Sequence, residues 1–139
     1  MSFEEKNAWA YLVIAVAGYL AYLAIMLGRI QGSELTAAPY ADAMLWAIGG
    51  AIVASIVLSV VLSTFFPRDA GKKDQRDKDV NRQGQYVGGL VLGVAMIGPF
   101  LLTLLEVDHF WIANAIYAAF VLSAIVGTTV TLVAYRRGL

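Results

Sequence analysis

Residues 43–66 read AMLWAIGGAIVASIVLSVVLSTFF and contain no Asp, Glu, Lys, Arg or His. Three more uncharged apolar runs of this kind occur at residues 8–27, 86–105 and 110–135. An α-helix rises about 1.5 Å per residue, so roughly 20 apolar residues cross a hydrocarbon core about 30 Å thick. Inside lipid the backbone polar groups must be paired, and a helix pairs them within one segment. The runs therefore predict four transmembrane helices.

The composition of the whole chain supports the same class. Of 139 residues, 60% are hydrophobic and 14% are charged, against about 45–50% and about 25% in an average soluble domain. A soluble domain of this size could not cover so much apolar surface, because small domains bury only about two-thirds of the surface of their chain. The chain has no Cys, which excludes disulfides, thiolate metal sites and cysteine nucleophiles.

We predict one all-α domain over residues 1–139, a four-helix transmembrane bundle. Its helices are expected at about 3–28, 41–66, 73–106 and 109–136, with a cytoplasmic loop at about 67–85. The opening residues MSFEEK carry two acids and one Lys, unlike the basic start of a signal peptide, so the first run is expected to be retained. Ser2 and Glu5 have the spacing of a helix-capping box.

The third predicted helix has two special features. Near Lys73 it should begin as a charged stalk outside the membrane, supported by the opposite-charge pairs Lys73–Asp77 and Asp74–Lys78 four residues apart. Further along, Gly98-Pro99 predicts a kink, because proline removes one helical hydrogen bond.

The distribution of Lys and Arg predicts the orientation. Cytoplasmic loops of membrane proteins are enriched in these residues. Of ten, only Arg29 lies in a loop predicted to be external. The other nine are in the N-terminal segment, the middle loop and the C-terminal segment: Lys6, Arg68, Lys72, Lys73, Arg76, Lys78, Arg82, Arg136 and Arg137. Both termini are therefore expected in the cytoplasm.

Small residues recur every four positions along three of the predicted helices. Such ladders let helix backbones approach closely in lipid, where apolar burial does not drive association. We expect them to pack the bundle and to join it to a second copy or to another membrane protein. Asn114, a polar amide within a span, is expected to contact another helix. The ladder residues are Ala47, Ala51, Ser55 and Ser59; the glycine pairs Gly84 with Gly88 and Gly89 with Gly93; and Ala115, Ala119, Ser123 and Gly127.

Acidic residues and the single histidine gather at the predicted external helix ends, namely Asp42, Glu106, Asp108 and His109. Carboxylates and imidazole are suitable ligands for a divalent metal such as Zn or Mn. Asp108 also has the position of an N-cap, and ordinary capping and solvation explain the same residues. No other cofactor is predicted, and the middle loop mixes acids with bases too evenly to suggest a nucleic-acid partner.

The chain lacks the sequence features of catalysis and of coupled transport. No charged residue lies near the middle of any apolar run, and no phosphate-binding loop or Ser/His/Asp arrangement occurs. The leading hypothesis is a non-enzymatic accessory or regulatory membrane subunit that acts through helix packing and its charged stalk. One alternative is a small oligomeric transporter or channel that uses the external acidic/His cluster. Another is a lipid- or quinone-directed membrane enzyme, which would need Glu106, Asp108 and His109 to converge.

Three motifs carry a resemblance to known proteins: FEEKNAW at residues 3–9, KDQRD at 73–77 and DHFWIAN at 108–114. Together they resemble a group of small four-helix bacterial integral membrane proteins of unknown function. The second motif is also similar to an Asp-Glu-Arg-Asp signature, from which Gln75 departs. The resemblance implies a bacterial inner-membrane location and a four-span topology, and it assigns no functional residue.

Overall fold

The computed structural model of the protein describes residues 2–30, 39–67 and 75–138, and all regular structure in them is helical. The helices are α1 (Phe3–Ile30), α2 (Ala41–Phe65), α3 (Gln75–Ala95), α4 (Ile97–Leu104) and α5 (His109–Arg136). Helices α3 and α4 form one rod, so four helical segments are long and apolar enough to cross a membrane. The prediction of four all-α segments of spanning length is confirmed.

The helices run alternately up and down. The Lys6 ammonium lies 3.6 Å from the centre of the Phe66 ring, which joins the start of α1 to the end of α2. The Arg136 guanidinium lies 5.8 Å from the centre of the Trp9 ring, which joins the end of α5 to the start of α1. Helix α3 also begins at this end. We call it the basic end, and the opposite end, which holds Asp42 and Glu106, the acidic end.

Helix α5 lies at the centre of the bundle. It contacts α1, α3 and α4, whereas the main neighbour of α2 is α1. In the most apolar part of each segment, 33% of the residues of α5 are buried and 0% of those of α2. Large apolar side chains such as Leu45, Val53 and Ile56 face outward along α2. A water-soluble protein rarely exposes so continuous an apolar surface, whereas lipid tolerates it.

Close backbone contact joins α3 to α5. A Cβ atom added at Gly84 would collide with the Thr131 side chain, and one added at Gly88 would lie 3.2 Å from the Ser123 carbonyl oxygen. The Ser123 hydroxyl donates a 2.7 Å hydrogen bond to the Gly88 carbonyl. Gly127, on the α5 side, would bring a Cβ atom within 2.9 Å of the Gly84 carbonyl oxygen. Glycine is required here because the two backbones leave no room for a side chain.

The α3–α4 rod is interrupted at Met96. Pro99 has no N–H group, so it cannot donate to the carbonyl of Ala95, four residues earlier. The neighbouring bonds persist, from the Met96 N–H to the Leu92 carbonyl at 2.9 Å and from the Phe100 N–H to the Met96 carbonyl at 3.1 Å. Met96 itself keeps a helical conformation, with φ of −68° and ψ of −14°. The predicted kink at Gly98-Pro99 stays a prediction.

Two local predictions concern helix starts. The Glu5 N–H donates a 3.1 Å hydrogen bond to the Ser2 hydroxyl oxygen, which confirms the serine half of the capping box. The predicted stalk pairs involve Lys73 and Asp74, which lie outside the described residues. The described part of this segment, from Gln75 onward, is helical.

Candidate functional site

At the acidic end, Asp42 forms an ion pair with Arg29. Arg29 donates from Nη1 to Asp42 Oδ1 at 2.7 Å and from Nη2 to Oδ2 at 2.8 Å, and Nη1 also donates to the Pro39 carbonyl at 2.9 Å. The acid lies in the first turn of α2 and the base in the last turn of α1, where each opposes the helix dipole. This two-bond ion pair links α1 to α2, and it occupies the carboxylate of Asp42, one of the four predicted metal ligands.

The other three predicted ligands lie at the turn between α4 and α5. Glu106 is exposed and has a positive φ of 55°, Asp108 occupies the N-cap position of α5 without a capping side-chain bond, and His109 is exposed. Within residues 2–30, 39–67 and 75–138, no three His, Asp or Glu side chains come close enough to hold one metal ion. Metal binding by these four residues stays a prediction.

Asn114 faces α1 inside the bundle. Its Oδ1 accepts a 2.5 Å hydrogen bond from the Tyr22 hydroxyl, and its Nδ2 donates a 2.8 Å bond to the Phe110 carbonyl. Tyr22 is 1% exposed. The ring of Tyr117 lies 5.1 Å, centre to centre, from both Tyr22 and Tyr19. Sequence reasoning singled out Asn114 but not its partner, although Tyr19 and Tyr22 are three residues apart and so share a helix face.

At the basic end, Asp77 is a buried carboxylate, 7% exposed. It accepts a 2.5 Å hydrogen bond from the Tyr135 hydroxyl, and Arg76 donates a 2.8 Å bond to the Tyr135 carbonyl. Val80 packs in a buried cluster with Ala134 and Tyr135. The first turns of α3 are therefore packed on the end of α5. This burial could not be predicted from local sequence, because charged residues surround Asp77 in the chain.

The ladder residues divide into packed and open positions. Ala47 and Ala51 meet α1, where a Cβ atom added at Gly18 would lie 3.4 Å from the Cβ of Ala51. Ala119, Ser123 and Gly127 lie in the α5 core or against α3, while Ala115 and Ser55 are half-buried. Ser59, Gly89 and Gly93 are exposed, and added Cβ atoms at the two glycines would meet nothing within 4 Å. The structure thus places Gly84 and Gly88, rather than Gly89 and Gly93, against α5.

An apolar groove of about 800 Å³ opens between α2 and α5, with α1 beside both. Its wall on α2 extends from Met44 to Ile56, which is about 18 Å of helix. Tyr117 and Phe120 line it from α5, and Ile14 from α1. Its polar side-chain atoms come from Ser55, Tyr11 and Tyr117. Side chains suited to acid–base catalysis are therefore scarce in this groove.

A second cavity, of about 440 Å³, lies between α1, α3 and α5 toward the basic end. We call it the polar cavity. Part of its wall is formed by the glycines of the α3–α5 contact, namely Gly84, Gly88 and Gly127. Its polar side chains come from all three helices: Glu4, Asn7, Tyr11, Asn81, Gln85, Ser123, Thr128 and Thr131. Neither this cavity nor the apolar groove was predicted from the sequence, because both depend on which helices are neighbours.

Comparison of the chain with protein families, curated proteins and solved structures finds no match.

Proposed function

We propose that the chain is a non-enzymatic subunit of a bacterial inner membrane, with both termini in the cytoplasm, that pairs with a second copy of itself through α2. It would act as an accessory or regulatory component, by helix packing and by the charged start of α3. The observation that carries the proposal is the position of α2, which packs mainly on α1 and has only Ala43 buried.

The exposed face of α2 has the features of a helix-packing surface. Gly49 and Gly50 have no atom within 4 Å of an added Cβ, so a neighbouring backbone could approach closely there. The same helix forms one wall of the apolar groove. A two-fold arrangement can therefore place the ridge of each α2 in the groove of the other copy, so that both partners use the same surface.

Charges in the four segments lie toward their ends, which favours packing over transport. Arg29 and Asp42 pair at the acidic end, and Asp77 is bonded to Tyr135 at the basic end. Ionisable groups inside membrane spans commonly mark proton and ion pathways. The uncharged middle of each apolar run, together with the packed charges at both ends, supports a subunit that acts through contact.

Cysteine crosslinking in native membranes tests the pairing. The chain has no Cys, so single-cysteine variants give an unambiguous readout. Ile52→Cys, in the groove wall and 56% exposed, should form a disulfide-linked dimer on mild oxidation. Val94→Cys is the matched control, because Val94 is 70% exposed on α3, near the middle of its apolar run. Dimers from Val94→Cys alone, or from neither variant, would contradict pairing through α2.

Reporter fusions test the orientation. Green fluorescent protein fused after Leu139 should fluoresce, and alkaline phosphatase at the same position should be inactive, because both reporters depend on the side of the membrane. Phosphatase inserted after Ser33 should be active, since residues 31–38 follow α1. The reverse pattern would refute the proposed orientation and would leave the proposed pairing through α2 unaffected.

A further inference from the structure

One ridge of α3 is exposed along its whole length. Its members follow one another at four-residue intervals, the spacing of the oblique ridges on a helix surface. All five are exposed, whereas the positions of α3 that meet α5, such as Gly84 and Gly88, are buried. We call this surface the α3 ridge. In chain order it consists of Lys78, Arg82, Tyr86, Leu90 and Val94.

The α3 ridge changes in character along its length in the same order as a phospholipid molecule. Two cations, Lys78 and Arg82, are followed by a phenol and two aliphatic side chains. Tyr86 begins the third uncharged run, and tyrosine prefers the membrane–water interface. At about 1.5 Å per residue, Arg82 lies about 6 Å beyond Tyr86, and the headgroup layer is about 5–8 Å thick on each side of a bilayer. Arg82 is therefore at the depth of lipid phosphates, and Leu90 and Val94 are at the depth of acyl chains.

The cations of the basic end divide into those with partners in the protein and those without. Lys6 and Arg136 lie against aromatic rings, and Arg76 donates to a backbone carbonyl. Among the described residues, the side chains of Lys78 and Arg82 form no hydrogen bond, ion pair or ring contact. The α3 ridge thus presents two neighbouring cations with which no described protein group pairs.

Two acids lie beside these cations in the chain. Asp77 is buried against α5 and bonded to Tyr135. The Oδ1 atom of Asp79 accepts a 3.0 Å hydrogen bond from the Gln75 side-chain amide. Two positive charges and the exposed negative charge of Asp79 leave one net positive charge on this face. A lipid with one net negative charge neutralises it, whereas a zwitterionic headgroup adds an ammonium group of its own.

We propose that the α3 ridge binds an anionic phospholipid, with the phosphate on Arg82, the rest of the headgroup beside Lys78, and an acyl chain along Leu90 and Val94. The planar guanidinium of an arginine can donate two parallel hydrogen bonds to phosphate oxygens. The inference rests on the proposed function, which assigns a contact role to the charged start of α3, and it names the partner of that contact.

Native mass spectrometry of the full-length protein tests the lipid preference. The protein is released from nanodiscs that contain equal amounts of phosphatidylglycerol, which is anionic, and phosphatidylcholine, which is zwitterionic. Each cation near an anionic membrane surface strengthens binding about fivefold, the equivalent of about 1 kcal/mol. We therefore expect phosphatidylglycerol to be retained about tenfold more than phosphatidylcholine. Equal retention of the two lipids would overturn the proposal.

Single-charge variants assign the preference to the α3 ridge. Arg82→Gln and Lys78→Gln should each lower the preference for phosphatidylglycerol about fivefold. Arg137→Gln is the matched control, because Arg137 is also exposed at the basic end and its side chain has no partner among the described residues. It lies at the end of α5, outside the ridge, and its replacement should change the preference by less than about twofold. Equal loss in Arg82→Gln and Arg137→Gln would indicate diffuse attraction to the whole basic end and would refute the assignment.

Asp79→Asn tests the charge balance with the opposite sign. The substitution keeps an oxygen that can accept from Gln75 and removes the negative charge beside the two cations. The preference for phosphatidylglycerol should therefore rise, and the same measurement records it. An unchanged or reduced preference would contradict the charge argument on which the proposal depends.

Glycerol phosphate distinguishes a lipid site from a site for soluble anions, because it carries a phosphate without acyl chains. At a concentration equal to that of the lipid it should displace no phosphatidylglycerol, and displacement would rule out the lipid as the specific occupant. Failure of the α2 crosslink leaves these results unaffected, because the ridge lies on α3. Conversely, a protein that crosslinks through α2 and shows no lipid preference would refute this inference alone.

Discussion

At the scale of single residues, the hydrogen bond between Tyr22 and Asn114 joins two helices within their apolar runs. A polar amide inside an apolar segment has no water to pair with, so a partner on another helix removes the cost of leaving it unsatisfied. The two residues are far apart in sequence, on α1 and α5, and the bond therefore fixes how these helices face each other. The rings of Tyr19 and Tyr117 complete the cluster around it.

Replacement of Tyr22 by Phe should lower the unfolding free energy by about 1 kcal/mol, the scale of interhelical hydrogen bonds in membrane proteins. The variant keeps the ring and loses only the hydroxyl that Asn114 accepts from. Unfolding by SDS titration from mixed micelles measures the change. Tyr19→Phe is the control, because within the described residues the Tyr19 hydroxyl makes no hydrogen bond. Equal effects of the two substitutions would contradict a specific role for the Tyr22 bond.

At the scale of helices, the contact between α3 and α5 depends on two glycines that the sequence could not single out. Gly84 and Gly88 share a four-residue spacing with Gly89 and Gly93, and either pair could form a helix contact. The structure selects the first pair because it faces Gly127 and Thr131 of α5, whereas an added Cβ at either glycine of the second pair would meet nothing within 4 Å. Spacing alone identifies candidate faces, and the neighbour of each face is a tertiary property.

Gly84→Ala should destabilise the protein by about 1–3 kcal/mol, the usual cost of inserting a methyl group into a filled contact. The new Cβ would collide with the Thr131 side chain and lie 2.8 Å from the Gly127 carbonyl oxygen. Gly93→Ala should leave stability unchanged or slightly higher, since alanine favours helix and its Cβ would meet nothing within 4 Å. The same SDS titration compares them, and a neutral Gly84→Ala would refute the close contact.

Some features of the helices could be predicted from local sequence. The uncharged runs predicted four helical segments of spanning length, and the Ser2–Glu5 spacing predicted a cap that the structure contains. The burial of Asp77 was not predictable in this way, because its neighbours in sequence are polar and its partner Tyr135 lies at the far end of the chain. Asp42 likewise looked like a ligand or a cap, whereas its ion pair with Arg29 depends on how α1 and α2 meet.

At the scale of the whole molecule, the bundle is open rather than closed. Helix α2 packs mainly on α1, and α3 mainly on α5, so the contact of α1 with α5 joins the two pairs. One half of the chain, up to Phe66, and the other half, from Gln75, each contain two of the spanning segments. Transmembrane helices can insert independently and then associate, so the halves need not be joined by peptide bonds.

Co-expression of residues 1–70 and 71–139 as separate chains should therefore give a complex that co-purifies through a tag on either fragment. The Tyr22–Asn114 bond lies in the contact that the fragments must form. Asn114→Leu should lower the recovery of the untagged fragment, measured against total expression. The control is Asp42→Asn, which changes a contact within one fragment. Independent purification of the unaltered fragments would show that the α1–α5 contact is too weak to hold the halves together.

The central position of α5 has a consequence for biosynthesis. A ribosome translates α5 after every helix that it contacts, and α3 meets its principal partner only when α5 has entered the bilayer. Until then the glycine face of α3 and the side chain of Asp77 have no α5 to pack on. The interior of the nascent protein is therefore incomplete until α5 is inserted, so the final tertiary contacts of α3 form only after the last helix has entered the bilayer.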